Sequence, residues 1–297
     1  MISIHKCPIC KGTDIRQVYN CTDYTVSKKQ FDIKECTSCT FRFTSPRPND
    51  SDLGQYYLSA DYISHNNEAK KLVDKIYLIA RSYTLQWKRK LIDTINNDPS
   101  AKRLLDYGCG TGSFLNHMSR NGWTTTGLEP SVQARKVAEQ QTGQKIYSDI
   151  TDITQDQFEI VTLWHVLEHI PQLHQTIEQL KALLTANGKL IIAVPNHKSL
   201  EANKFKEHWA GYDVPRHLCH FNQATMNKLM IQHGLRIASI VPMKLDSYYI
   251  SLLSQKYLNN NYPSILHLPK AVMMGFRSNL AARTNNEYSS LIYVISK

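Results

Sequence analysis

The chain has 297 residues, 42% of them hydrophobic and 20% charged, so its composition predicts a packed globular protein and excludes a disordered chain. Its formal net charge of +10 favours an anionic partner such as a phosphate, a nucleotide sugar, an acidic glycan, RNA or a lipid headgroup, although a charge of this size also serves solubility alone. No apolar run of about 18 residues predicts a transmembrane helix, and residues 1–7 lack the apolar stretch of a signal peptide, so a cytoplasmic location is expected.

Two Cys-x-x-Cys pairs lie near the N-terminus, at Cys7 and Cys10 and at Cys36 and Cys39. Each pair can present two thiolates to one metal ion, and two pairs complete a tetrahedral zinc site. Because four protein ligands leave no open position, the predicted zinc is structural. Short strands are predicted beside the pairs, at Ile15–Tyr19, Phe31–Lys34 and Phe41–Phe43. Residues 1–46 are therefore predicted to form a zinc ribbon.

Residues 47–100 are interpreted as a linker followed by a helix. The prolines at Pro46 and Pro48 favour extended backbone. Beyond them, apolar residues recur at three- and four-residue steps: Leu72, Ile76, Ile79, Tyr83, Trp87 and Leu91. This spacing predicts one packed face of a long helix.

Residues 101–242 alternate strand and helix patterns. The predicted strands are Arg103–Tyr107, Thr124–Leu128, Lys145–Ser148, Ile160–Trp164, Lys189–Val194 and Leu235–Val241, and the predicted helices are Ser113–Asn121, Val132–Gln141, His174–Leu184 and Gln223–His233. Single helices between strands imply right-handed crossovers and a parallel sheet covered on both faces. Such a sheet binds its ligand beyond the carboxyl ends of its strands.

The first strand of this region ends in a glycine-rich turn, Gly108-Cys109-Gly110-Thr111-Gly112. The spacing is G-x-G-x-G, whereas a dinucleotide-binding loop has G-x-G-x-x-G. Asp106 stands two residues before the first glycine, where its carboxylate would repel a pyrophosphate and attract an ammonium group. The charge therefore favours the methionine part of S-adenosylmethionine over a dinucleotide.

Acidic residues also end the next two predicted strands. Glu129 follows the second strand and can accept hydrogen bonds from both ribose hydroxyls. Asp149 follows the third strand, where it can accept the adenine amino group while Ile150 packs on the ring. Glu129 as a helix-start residue and Asp149 as a helix N-cap are the alternatives.

These motifs, together with the fourth-strand run Val161–His169 and the fifth-strand run Asn187–Asn196, resemble class I S-adenosylmethionine-dependent methyltransferases. The resemblance implies an α/β, Rossmann-like fold whose seven-stranded, mostly parallel sheet ends in an antiparallel strand, which Ser290–Ser296 can supply. The expected cofactor-binding residues are Asp106, Gly108, Cys109, Gly110, Gly112, Glu129, Pro130, Asp149, Ile150 and His165.

A zinc ribbon in front of this fold resembles the subset of the family that includes sugar C-methyltransferases and other polysaccharide or natural-product tailoring enzymes. The connector Pro46–Tyr57 also resembles that subset. A tyrosine there, Tyr56 or Tyr57, is expected either to cover the methionine end of the cofactor or simply to pack.

Candidate bases occur in two places. His165 and His169 stand four residues apart, a spacing that also occurs in metal-binding histidine pairs on a helix. Because no second acidic ligand is evident, metal binding by this pair is not favoured, and the two histidines are considered as bases. The segment Trp209–Phe221 adds His217, the first choice for a base, and Arg216, a candidate for binding an anionic group. Alternatively, these histidines only cap and anchor the loop. Of the remaining cysteines, Cys109 and Cys219 are expected to be small packing residues and not nucleophiles, whereas Cys21 has no assigned role.

Residues 101–297 are predicted to form the methyltransferase domain, with residues 246–286 as an insertion that contains a helix over Lys270–Arg283. The insertion is interpreted as an acceptor lid, with a homodimer face or a membrane-surface helix as alternatives. The expected function is methyl transfer from S-adenosylmethionine to a small or saccharide-linked, and potentially anionic, acceptor. An RNA methyltransferase that uses the ribbon as a platform is less favoured because the ribbon is not rich in exposed base-stacking aromatics flanked by arginine. A non-catalytic binding module is less favoured because the cofactor motifs are intact.

Overall fold

The protein is represented by a computed structural model that describes residues 1–57, 72–96, 98–153, 157–259 and 267–297, without the side chains of residues 72–80. Within these ranges no helix is both long and apolar enough to cross a membrane. The predicted positions Leu72, Ile76 and Ile79 lie outside the described side chains.

The N-terminal region forms a small antiparallel sheet. Its strands are β1 (Ile15–Thr22), β2 (Gln30–Cys36) and β3 (Arg42–Thr44), followed by a 3-10 segment, Asp50–Tyr57. The fourth strand of this sheet comes from much later in the chain, because β3 pairs with β9 (Cys219–His220). The sheet of the ribbon is therefore completed by a strand from the region predicted as the methyltransferase domain.

Among the residues that the structure describes, the main sheet has seven strands in the order β10-β11-β8-β7-β4-β5-β6. The strands not yet given are β4 (Arg103–Tyr107), β5 (Thr124–Leu128), β6 (Ile146–Tyr147), β7 (Phe158–Trp164), β8 (Leu184–Pro195), β10 (Arg236–Pro242) and β11 (Ser290–Ser296). Strands β4 to β8 pair in parallel, whereas β11 runs antiparallel to both β8 and β10. This is the predicted α/β Rossmann-like sheet with its antiparallel last strand.

Helices cover the sheet. They are α1 (Leu72–Ile95), α2 (Ser113–Ser119), α3 (Val132–Thr142), α4 (Leu173–Leu183), α5 (Leu200–Phe205), α6 (Gln223–Gln232), α7 (Asp246–Leu258) and α8 (His267–Asn285). Most bounds lie within a few residues of the prediction. The predicted face of α1 is wrong at one position, because Tyr83 is exposed and Ile92, one residue beyond Leu91, is the fully buried one.

One apolar core runs from the ribbon into the main sheet. Phe41 and Phe43 stack on one another, and Phe41 also contacts Phe221, with ring centroids 5.4 Å apart. These rings belong to the same buried cluster as Leu163 and Tyr293 of the main sheet. The ribbon thus shares its core with the rest of the chain.

The helices α7 and α8 form the insertion between β10 and β11. They pack closely: a Cβ added at Gly275 of α8 would lie 2.9 Å from the Tyr248 backbone of α7. Ser254 of α7 accepts a hydrogen bond from the Ala210 amide at 2.9 Å, which ties the pair to the loop after α5. Asp246 at the start of α7 lies 3.1 Å from His165, which follows β7, so the insertion lies at the edge of the sheet where β7 ends.

Candidate active site

The carboxylate of Asp106 lies at the buried end of β4, directly before the glycine turn. It is 2% exposed and accepts a hydrogen bond of 2.6 Å from the Thr162 hydroxyl on the neighbouring strand β7. Burial raises the pKa of Asp106 to about 7, although the Thr162 hydrogen bond and the Lys88 ammonium both act to lower it. Burial likewise lowers the pKa of Lys88, on α1, to about 8. A carboxylate that is this poorly solvated is stabilised by a bound cation.

Glu129, after β5, is bound to the backbone of the loops around it. Its Oε2 accepts from the Gly110 amide at 2.9 Å and its Oε1 from the Ser131 amide at 2.8 Å. Burial raises the pKa of Glu129, and these two hydrogen bonds oppose that change. The carboxylate is therefore held beside the glycine turn in a fixed orientation. Pro130, which follows, is exposed.

The glycine turn leaves room for a ligand. Gly108 and Gly110 have φ angles of +76° and +56°, a region that favours glycine. A Cβ added at Gly110 would meet no heavy atom within 4 Å, so open space lies in front of this backbone. Cys109 points inward and is buried, and Gly112 packs against α3. A buried anion beside an open, bare-backbone turn fits the aminoacyl end of S-adenosylmethionine.

At the end of β6, Asp149 is exposed and caps a 3-10 turn, Ile150–Asp152. Its Oδ1 accepts from the Thr151 amide at 2.8 Å and from the Thr151 hydroxyl at 2.6 Å. One carboxylate oxygen of Asp149 therefore serves as the N-cap of this turn, which was the alternative role in the sequence analysis. Ile150 is buried beside it.

His165 follows β7 with a φ of +58° and lies between two carboxylates. Its Nε2 is 3.1 Å from Asp246 of α7, and its Nδ1 is 3.3 Å from Glu168. Burial alone would lower the pKa of His165, but the two carboxylates raise it to about 10. A ring held as an imidazolium has no lone pair to accept a proton, so the geometry does not support the predicted role of His165 as a base.

The other two candidate bases lie together. The rings of His169 and His217 meet edge to face with centroids 4.6 Å apart. His169 comes from the 3-10 turn Leu167–His169 after β7, and His217 from the loop before β9. The buried Glu168 carboxylate joins them, so that one ligand-type atom from each residue lies within 4.8 Å of the others. Burial lowers the pKa of His169 to about 4, so its ring is neutral near pH 7.

Arg216 is not available to an anionic acceptor, contrary to the prediction. It is 1% exposed, and its guanidinium donates to Asp213 at 2.6 and 2.9 Å, to Asp23 at 3.2 Å and to the Tyr56 carbonyl at 3.0 Å. These internal acceptors occupy the donors that an anion would need. Arg216 therefore connects the ribbon, the 3-10 segment before α1 and the loop before β9.

The two connector tyrosines differ. Tyr56 is buried and packs edge to face on Phe31 of the ribbon, with ring centroids 5.9 Å apart. The Tyr57 hydroxyl lies 3.0 Å from Nδ1 of His169. Tyr56 is therefore a packing residue, whereas Tyr57 reaches the candidate site.

The four predicted zinc ligands converge. The sulfur atoms of Cys7, Cys10, Cys36 and Cys39 all lie within 4.8 Å of one another, and two of the distances are 3.5 Å. Four thiols at such spacing are a donor set that suits zinc. Cys21 and Cys219 are buried outside this group, and burial raises the pKa of Cys219 to about 12, as expected for packing residues.

Several residues of the site have no predicted role in the sequence analysis. Lys88 lies on a helix whose pattern indicates only packing, and Asp246 begins an insertion without a recognisable motif. Thr162 and Glu168 do carry a signal: Thr162 is a hydroxyl residue in an otherwise apolar strand core, and Glu168 is an acid within a buried run. Their partners come from distant segments, so sequence spacing could not pair them.

Comparison with known proteins adds to this geometry. A family model described as "Methyltransferase domain" matches residues 79–240. A ubiquinone biosynthesis O-methyltransferase from Actinobacillus pleuropneumoniae serotype 5b is 36% identical over 108 residues, covering 32% of this chain and 46% of that protein. A protein of the same name from Coxiella burnetii strain Dugway is 34% identical over 103 residues, covering 32% of this chain and 44% of its own. The chain thus spans about half the length of the curated relatives that it matches.

Among solved structures, the magnesium protoporphyrin IX methyltransferase of Synechocystis PCC 6803 with bound SAH aligns with a TM-score of 0.53. The alignment has 16% sequence identity and covers 84% of this chain and all of that one. At this identity the likeness concerns the fold alone.

Proposed function

Because the chain belongs to the methyltransferase-domain family, we propose that it transfers a methyl group from S-adenosylmethionine to a small-molecule acceptor. The observation that carries this proposal is the buried carboxylate of Asp106 beside an open glycine turn. An anion at this position binds the ammonium of the donor and repels a pyrophosphate. The loop amides and the N-terminus of α2 receive the donor's carboxylate.

Each remaining cofactor residue has a proposed contact. Glu129, oriented by the amides of Gly110 and Ser131, accepts the ribose hydroxyls. Asp149 keeps one oxygen for its own turn and offers the other to the adenine amino group, with Ile150 packing on the ring. His165 borders the methyl end of the cofactor as a charged, carboxylate-held ring.

The methyl group leaves a sulfonium sulfur as a neutral thioether is released, so the donor supplies the activation. The protein's task is to align the acceptor in line with the breaking bond and to exclude water. The helices α7 and α8 are proposed to serve as the acceptor lid, because Asp246 at the start of α7 pairs with His165 beside the cofactor region.

The acceptor atom is proposed to be a hydroxyl oxygen. The curated relatives are named as O-methyltransferases, and a saccharide-linked acceptor supplies hydroxyls equally well. A hydroxyl must lose its proton during transfer. The cluster of Glu168, His169 and His217 is proposed to act on that proton, because it places two imidazoles and a carboxylate at the same edge of the sheet. The cysteine cluster is proposed to hold a structural zinc ion.

The experiment first measures the binding of S-adenosylmethionine and then the transfer of its methyl group. Calorimetry is expected to show one S-adenosylmethionine bound per chain, with at least a tenfold loss of affinity in Asp106→Asn. A matched control is Asp98→Asn, which alters an exposed carboxylate outside the site. Methyl transfer from labelled donor is then assayed with hydroxyl-bearing small molecules and with sugar-nucleotide acceptors. A wild-type chain that binds no donor would contradict the proposal.

A further inference from the structure

The buried carboxylate of Glu168 lacks the partners that burial demands. The residue is 1% exposed, and among the described residues neither of its oxygens has a hydrogen-bond partner. Its ion pair with His165 Nδ1, at 3.3 Å, involves Oε1 only. Burying a carboxylate without hydrogen bonds is costly unless a cation neutralises it. Because the His165 ring faces Oε1, Oε2 is the oxygen left without a positive partner, and it marks a place for a positive ligand.

Two imidazoles beside Glu168 are oriented as metal ligands usually are. His169 Nδ1 lies 3.0 Å from the Arg216 carbonyl, and His217 Nδ1 lies 2.9 Å from the Gly211 carbonyl. Because a carbonyl oxygen only accepts, each Nδ1 carries a proton, so the neutral form of each ring has its lone pair on Nε2. A ring that donates its second N–H to a backbone carbonyl is the usual arrangement behind a metal-bound histidine.

The three side chains are within reach of one ion. Their ligand atoms lie within 4.8 Å of one another. Ligands about 2.1 Å from a common ion are roughly 3.0–3.5 Å apart, so small side-chain rotations close the set. We propose that Glu168, His169 and His217 bind one divalent transition-metal ion, a site separate from the cysteine cluster.

The donor set selects the class of ion. Calcium and magnesium prefer oxygen ligands, whereas two imidazoles and one carboxylate suit manganese, iron, cobalt, nickel or zinc. Three protein ligands leave coordination positions open. One of them could take the acceptor's hydroxyl oxygen, where the cation would stabilise the oxyanion and the proton would pass to solvent water. The three side chains would then act on that proton through the ion that they hold, and not as bases themselves. This role in methyl transfer rests on the proposed function, whereas the binding of the ion does not.

The experiment titrates Mn²⁺ into full-length protein that has first been loaded with one equivalent of Zn²⁺, without S-adenosylmethionine. Zinc keeps the thiolates occupied, because manganese competes weakly for soft ligands. Free Mn²⁺ is quantified by its electron paramagnetic resonance signal, and pulsed measurements detect ¹⁴N coupling from imidazole. The wild type is expected to bind one Mn²⁺ per chain with coupling to two nitrogens.

The variants Glu168→Gln and His217→Asn are expected to weaken Mn²⁺ binding at least tenfold. Glu178→Gln is the matched control, because Glu178 also faces a histidine pair, His233 and His174, but its carboxylate is exposed and lies 2.6 Å from His233 Nδ1. It should bind Mn²⁺ like the wild type. A retained melting temperature and an unchanged far-UV circular dichroism spectrum establish that each variant is folded.

No Mn²⁺ bound to the wild type, no ¹⁴N coupling, or unchanged affinity in Glu168→Gln would overturn the metal site. Mn²⁺ binding without donor binding would instead contradict the proposed function and leave the metal site intact.

Discussion

At the scale of single residues, the environment of Asp106 decides what the cofactor pocket prefers. Its carboxylate is buried and accepts a hydrogen bond from Thr162, and its pKa is lowered by the Lys88 ammonium and raised by the like charge of Glu129. The raised pKa means that the folded protein takes up a proton at this group between about pH 7 and its usual value of 3.8. Ionised Asp106 therefore costs stability above pH 7, and a bound ammonium offsets that cost.

The first prediction follows from this titration. S-adenosylmethionine affinity is expected to fall as pH drops below about 7, approaching tenfold per unit, because protonated Asp106 no longer attracts the ammonium. Protonation of Lys88 below about pH 8 acts in the same direction, since it provides a competing internal cation. Calorimetric titrations between pH 8 and pH 5.5 measure the profile.

In Asp106→Asn the profile should be flat and the affinity low throughout. A wild-type affinity that stays constant across this range would show that the carboxylate is not the ammonium's partner.

A second prediction concerns Arg216. Replacing it by Met leaves the fully buried Asp23, and with it Asp213, without their cation. Breaking a buried ion pair from one side costs about 3–5 kcal/mol, so Arg216→Met is expected to lower the unfolding free energy by that amount. Urea denaturation measures it.

The control is Arg16→Met, since Arg16 is 67% exposed and its partner Glu35 retains Arg42 at 2.8 Å. A loss below about 1 kcal/mol is expected there. Equal effects of the two substitutions would contradict the account of Arg216 as a buried structural cation.

At the scale of elements, the packing of α7 on α8 depends on a small residue. Gly275 has no room for a side chain, because its Cβ would lie 2.7 Å from the ring of Tyr248 and 2.9 Å from its backbone. Replacing a glycine in the interior of a helix by alanine would otherwise raise the free energy of unfolding by about 1 kcal/mol. Its presence here is therefore explained by close helix contact.

The third prediction is that Gly275→Ala lowers stability by roughly 1–3 kcal/mol, because the helices must move apart despite the better helix propensity. If α7 and α8 are the acceptor lid, the acceptor KM should also rise while S-adenosylmethionine affinity is unchanged. Thermal melts and steady-state kinetics measure both effects.

Gly54→Ala is the matched substitution, since a Cβ at Gly54 would meet nothing within 4 Å. It should change neither stability nor KM appreciably. A Gly275→Ala protein as stable as Gly54→Ala would contradict the packing argument.

At the scale of the whole molecule, the ribbon and the main sheet are one body. The strand β9 completes the ribbon sheet, and Cys7 and Cys36 belong to the buried cluster that extends into the main sheet. Loss of the cysteine cluster should therefore affect more than the N-terminal residues.

The fourth prediction is that the protein carries one zinc ion at the cysteine cluster and that Cys36→Ser removes it and lowers the melting temperature of the whole chain in a single transition. Zinc content by mass spectrometry and calorimetric melting measure this. Cys21→Ser is the control, because Cys21 is equally buried but lies outside the four-sulfur group. Full zinc content in Cys36→Ser would contradict the assignment.

The sequence by itself determined the parts of this protein that local patterns encode. The strands β4 and β5 match their predicted bounds, since short apolar or β-branched runs next to turn residues specify strands locally. The strand β11 matches the one that the family resemblance implied. The glycine turn, Asp106, Glu129 and the four cysteines were likewise recognisable, because each function needs its residue types at a fixed spacing along the chain.

Only the tertiary structure decided the groupings that join distant segments. It pairs His165 with Asp246, places His217 against Glu168 and His169, encloses Arg216 with Asp23, and completes the ribbon with β9. These contacts depend on how the chain folds back on itself, and a side chain's protonation and partners depend on the neighbours that folding brings. Spacing along a sequence carries no information about such neighbours, so it predicts His165 as a base and Arg216 as an anion-binding residue, whereas carboxylates hold both side chains in the folded protein.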